Sequence, residues 1–155
     1  MGGYGALRMA RAFRFAQVLL VAPQFTPFPQ KNPYDQRFFE ATADLDPQFD
    51  TLDIDPKQGL NGVIVFDPNV PGDRLQTRCI CATFPRLKTV AMPFVGHPTL
   101  NVISEQEQFG RIQDELLARN ISHRRLRKLH KHLRRGSKIY RENLDAYLEA
   151  RKLRA

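Results

Sequence analysis

Three short apolar runs punctuate the chain. QVLLVAP (17–23), GVIVFDP (62–68) and KTVAMPF (88–94) each run without polar alternation into a proline. The first two predict strands buried on both faces, and the third a further short strand. Between the second and third, residues 73–85 place Leu75, Cys79 and Ala82 at helical spacing. Strand, helix and strand in that order predict a βαβ unit of a parallel sheet. Residues 3–14 precede the first run, with Ala6, Leu7, Ala10 and Phe13 on one helical face.

The remaining segments divide sharply. Residues 24–59 hold five prolines and seven acidic residues and read as an irregular insertion, with a short helix near 33–42 and a short strand within 48–54. After the third run, Ser104 followed by Glu107 predicts a capping box. It would open a helix to Ala118 with Phe109, Ile112 and Leu116 inward. Two more helices are expected over 122–135 and 138–153, broken at Gly136-Ser137. Leu126, Leu129 and Leu133 stripe the first, and Tyr140, Leu144, Tyr147 and Leu148 the second.

Charge sharpens this division. The net charge of +8 is not shared evenly. Residues 1–118 carry 11 Lys/Arg against 13 Asp/Glu, whereas residues 119–155 carry 13 against 3. The expected organisation is therefore a partial α/β domain over 1–118, about three parallel strands with flanking helices, followed by a basic helical hairpin over 119–155. With 155 residues, 42% of them hydrophobic, the chain has the size and composition of one globular domain. Cys79 and Cys81 are too close in sequence to staple a small secreted fold, which favours a reducing, cytoplasmic location. Arg8, Arg11 and Arg14 ahead of FAQVLLVAP imitate a signal peptide, but the apolar run is short and has no small-residue cleavage site. No stretch reaches the ~20 apolar residues of a membrane span.

Candidate chemistry lies at the ends of the strands. Asp67 follows the second strand, and His97, in a Gly-His-Pro loop, follows the third. In a parallel sheet both loops leave the same edge, where such folds build sites. Asp67 thus becomes the candidate acid for His97. Asp73 is the reserve acid, although it also suits a helix cap. An acid that orients an imidazole needs a nucleophile whose proton the imidazole removes. Ser104, Ser122 and Ser137 read as helix caps or tail residues rather than nucleophiles. His123, His130 and His132 stand among arginines, a poor setting for a cation, so neither a metal nor a cofactor is expected.

The opening MGGYGALRMA resembles the segment that follows the nucleophilic serine in serine esterases of the α/β-hydrolase family, which carry G-x-S-M-G-G-Y-G-A-L. DPNVP is similar to the acid-bearing loop of that family, GHP to its histidine loop, and the order serine, acid, histidine is kept by Asp67 and His97. The resemblance spans residues 1–118. It implies an α/β-hydrolase fold, a small ester or thioester substrate, His97 as general base and Asp67 as its acid. It places Met1 and Gly2 as the remnant of the oxyanion elbow, with the serine one position ahead of Met1. On this reading the chain is a fragment or truncated member, inactive as given, and whether it is an enzyme stays open. Strand 17–22 would present an unpaired edge suited to self-association.

The alternative is a non-catalytic module. Arg124, Arg125, Arg127, Lys128, Lys131, Arg134 and Arg135 belong to a run of nine Lys/Arg between 124 and 141. Such a helix suits nucleic acid, an anionic membrane or an acidic protein. The blander reading packs its leucine stripe on the core and leaves the charges in solvent.

Overall fold

The computed structural model describes residues 2–10, 12–13, 17–33, 35–50, 59–118 and 120–153, apart from the side chain of Phe49. Among these, β1 (Val18–Val21), β2 (Gly62–Phe66) and β3 (Leu87–Ala91) form a parallel sheet in the order β1-β2-β3. Leu20 lies beside Ile64 and Val65 beside Val90, so all three carboxyl ends emerge at one edge. The expected strand 48–54 lies partly outside the described residues, and its described start, Pro47–Phe49, is one turn of 3-10 helix.

Alternation along the strands separates two cores. On one face Val63, Val65, Val90 and Met92 join Ile103, Ile112, Leu126, Leu129 and Leu133. These come from α4 (Thr99–Glu105), α5 (Phe109–Leu117) and α6 (His123–Gly136). On the other face Val18, Leu20, Ile64 and Leu87 pack with Leu7 of α1 (Gly2–Arg8) and Ile80 of α3 (Pro71–Thr83). A two-residue period on β2 thus feeds two helical layers. The leucine stripe of α6 is almost wholly buried against the sheet, so the basic segment shares its core with residues expected to form a separate domain.

Several local expectations change. The buried face of α3 is Asp73, Gln76, Thr77 and Ile80, not Leu75, Cys79 and Ala82. The helix expected from Ser104 to Ala118 is two helices. Gln108 N–H donates to Ile103 O and Glu107 N–H to Ser104 O, with Glu107 at φ 53°. That is the closing pattern of a helix carboxyl end, so Ser104 and Glu107 terminate α4 instead of opening a helix. Phe109 and Leu116 then turn outward, while Ile112 stays buried. Among the described residues of the insertion, α-helix is confined to α2 (Phe39–Thr42), against the expected 33–42. The final helix, α7 (Lys138–Lys152), buries Tyr140 but leaves Tyr147 and Leu148 largely exposed.

Ser122 and Ser137 do cap helices. Their hydroxyls accept from the Arg125 and Tyr140 amides. Pro71 at the first position of α3 supplies the fixed φ that helix starts favour.

Candidate active site

Asp67 and His97 leave the carboxyl ends of β2 and β3 at the same edge, as their positions predict. Their side chains are not each other's partners. Asp67 Oδ1 accepts from Asn69 N–H and Oδ2 from Gly96 N–H, both at 2.8 Å. The acid expected to orient His97 instead ties two loops together. His97 Nδ1 lies 2.8 Å from Asp73 Oδ1, so the reserve acid is the one in contact with the imidazole. The reason is local: Asp67 folds its carboxylate back over its own turn, whereas the first turn of α3 lifts Asp73 into the site.

Asp73 is 1% exposed, and a buried carboxylate requires compensation. Arg37 supplies it, with Nη2 at 3.1 Å from Asp73 Oδ1. The same guanidinium grips Asp35, its Nε donating to Oδ1 at 2.6 Å. Gln76, one turn along α3 from Asp73, completes the network. Its Oε1 accepts from the Phe25 and Thr26 amides, and its Nε2 donates to Thr26 O and Asp35 Oδ2. Asp35, Arg37 and Gln76 went unrecognised in the sequence. The Asp-x-Arg pair inside a proline-rich, acidic segment was the signal that could have marked two of them.

These contacts set the charges. Burial pushes the Asp67 carboxyl up, against the pull of the Asn69 and Gly96 amides. Burial also works against Asp35, but hydrogen bonds from Arg37 and Gln76 outweigh it and lower the pKa. Arg37 is likewise opposed by burial, yet its bond to Asp35 and the charges of Asp35 and Asp73 raise it. Asp73 Oδ2 is buried and has no hydrogen-bond partner among the described residues.

The histidine loop is built to hold one shape. Gly96 adopts φ 71°, and a Cβ there would come within 3.2 Å of Asn143 Nδ2. Phe94 at φ 66° is held by edge-on contacts with Tyr140 and Tyr147. Asn143 donates to Phe94 O, and His130 of α6 donates from Nε2 to Pro93 O. Helices α6 and α7 therefore brace the loop that carries His97. Burial holds the His130 pKa down, consistent with a neutral structural imidazole.

The amino-terminal glycines divide by role. A Cβ on Gly3 would stand 2.8 Å from Pro23 Cβ, so α1 lies tight against the chain leaving β1. Gly2 opens α1 in open space, and Met1 lies outside the described residues. Arg124, Arg127, Lys128, Lys131, Arg134 and Arg135 occupy the exposed face of α6. Arg125 also lies there but is paired with buried Glu115. The described residues contain no group of three or more His, Cys, Asp or Glu arranged to hold a metal, and no helix among them is long and apolar enough to cross a membrane.

Comparison with protein families, curated proteins and solved structures finds no match to this chain.

Proposed function

We propose that this chain carries the acid–base half of a serine-hydrolase site acting on small esters or thioesters. The observation that carries the reading is the 2.8 Å contact between His97 Nδ1 and the buried carboxylate of Asp73, at the carboxyl edge of a parallel sheet. An ionised carboxylate only accepts, so Nδ1 carries the proton, and in the neutral imidazole Nε2 then keeps the lone pair. The His97 side chain is one-third exposed. In the reaction Nε2 takes a proton from a hydroxyl nucleophile and returns it to the leaving oxygen. Asp73 stabilises the imidazolium between those steps. Asp67 is the brace of the histidine loop rather than the acid.

The resemblance of MGGYGAL to an esterase elbow places the nucleophile immediately ahead of Met1, a position outside this sequence. The test is the chain extended at its amino end by Gly-Xaa-Ser. Fluorophosphonate labelling and 4-nitrophenyl acetate hydrolysis are expected at the added serine. His97→Ala should abolish both, and Asp73→Asn should lower the rate by about 10²–10⁴-fold. Labelling indifferent to His97 would reject the reading.

A further inference from the structure

At the opposite edge of the sheet the polar groups are arranged differently. A cavity of about 580 Å³ opens between the amino ends of β2 and β3 and the start of α6. Arg86, Lys88 and His123 line it, together with Asn61, Asn120, Ile121 and Gln17, and none of the described lining residues is acidic. Gly62 and Val63 also line it. Neither Arg86 nor Lys88 has a carboxylate at ion-pair distance among the described residues, whereas Arg8, Lys31, Arg37 and Arg125 each have one. His123 Nε2 is buried and has no hydrogen-bond partner among the described residues.

The helix start adds to this. Ser122 caps α6 through the Arg125 amide and Leu126 N–H reaches Ser122 O, so the cap leaves the His123 and Arg124 amides unengaged. The first turn of α6 contains no acidic residue of its own, and the carboxylate of Glu115 in α5 meets the Ser122 amide and Arg125. A guanidinium, an ammonium and an imidazole whose Nε2 has no partner among the described residues thus line one recess beside the start of α6.

We propose that this recess binds the phosphate group of a small phosphorylated molecule. A phosphate monoester carries about −1.5 to −2 charges and three strong acceptor oxygens. It would accept from Arg86 and Lys88, and a turn of the His123 ring would add its buried Nε2–H. A carboxylate, with two oxygens and one charge, would leave part of the donor set unused. The site is remote from His97, since parallel strands place it at the other end of the sheet, and it does not depend on the hydrolase reading.

Burial, then the charges of Lys88 and Arg127, hold the His123 pKa below its ordinary value. Among the described residues, Lys88 and Arg127 are the charges that act on this ring, and Arg86 lines the same recess. A bound anion among them favours the imidazolium, so it must shift the His123 titration upward.

The experiment uses inorganic pyrophosphate as probe on the full chain at constant ionic strength. Calorimetry and amide NMR are expected to show saturable binding, with shifts concentrated at residues 86–88 and 120–124 and an upward movement of the His123 titration. Lys88→Glu and Arg86→Glu, both exposed, should each weaken binding about tenfold or more. Arg135→Glu, the same charge change on the outer face of α6, should leave it within about twofold. Absence of saturation at millimolar probe, or an unmoved His123 titration, would overturn the proposal. So would an equal loss in Arg135→Glu, which would make the attraction a property of net charge, as for a nucleic-acid-binding face. Amide shifts mapped on the unsubstituted chain decide the matter should a variant misfold.

Discussion

At the carboxyl edge of the sheet Asp35, Asp67 and Asp73 are all buried and each meets a guanidinium, an imidazole or backbone amides. At the amino edge Arg86 and Lys88 are exposed cations without a carboxylate partner among the described residues. The difference follows from desolvation. A buried charge persists only where fixed partners replace its water, and those partners come from loops the fold must hold still. An exposed cation keeps its water and makes no such demand. One edge is therefore coupled to stability and preorganised, while the other is free to exchange solvent for a ligand.

Asp67→Ala is the strongest way to test that contrast. It removes the acceptor of two loop amides, Asn69 N–H and Gly96 N–H, and should lower folding stability by about 2–3 kcal/mol in chemical denaturation. Relief of the burial that raises its pKa offsets part of the loss. Lys88→Ala at the other edge should change stability by less than about 0.5 kcal/mol. Equal effects would erase the distinction between the edges.

Acid titration probes the same edge more finely. The Asp35 pKa is lowered in the folded chain, so its stabilising contribution is present above the ordinary carboxyl value of 3.8 and is lost as pH falls through the lowered one. Asp35→Asn should therefore be less stable than the parent near neutrality, with the gap closing below that value by up to about 1.4 kcal/mol per pH unit. Asp67, with its raised pKa, acts in the opposite sense: its ionisation weakens the fold as pH rises. A gap between parent and Asp35→Asn that stays constant with pH would show that Arg37 does not hold Asp35 ionised.

How much of this was legible in the sequence depended on the range of the interaction. The strands were readable because VLLV and GVIVF are apolar on both faces, a property of neighbouring residues alone. The leucine stripe of α6 was readable by its helical period and packs inward as that period demands. The Ser104–Glu107 spacing was ambiguous because a glutamate, not a glycine, takes the left-handed position that ends α4. The site lay beyond local pattern. Asp67 and Asp73 were both visible as acids near a strand end, but the path of the Gly96 loop decides which meets His97. Gln76 bonds to Phe25 and Thr26 some fifty positions away, and no periodicity announces that.

The smallest test returns to the glycine cluster at the carboxyl edge. Gly3 and Gly5 share one short helix and the same residue type, so their intrinsic helix preference is alike. A methyl group on Gly3 would meet Pro23 Cβ at 2.8 Å and Pro23 Cα at 3.1 Å, whereas one on Gly5 would meet nothing within 4 Å. Gly5→Ala should then raise stability by roughly 0.5–1 kcal/mol through helix propensity. Gly3→Ala should instead lower it by about 1 kcal/mol, because the overpacking outweighs that same gain. Denaturant midpoints that move in opposite directions would establish α1 as packed on the chain leaving β1. Midpoints that both rise would mean that the two segments do not touch, and that Gly3 is no more constrained than Gly5.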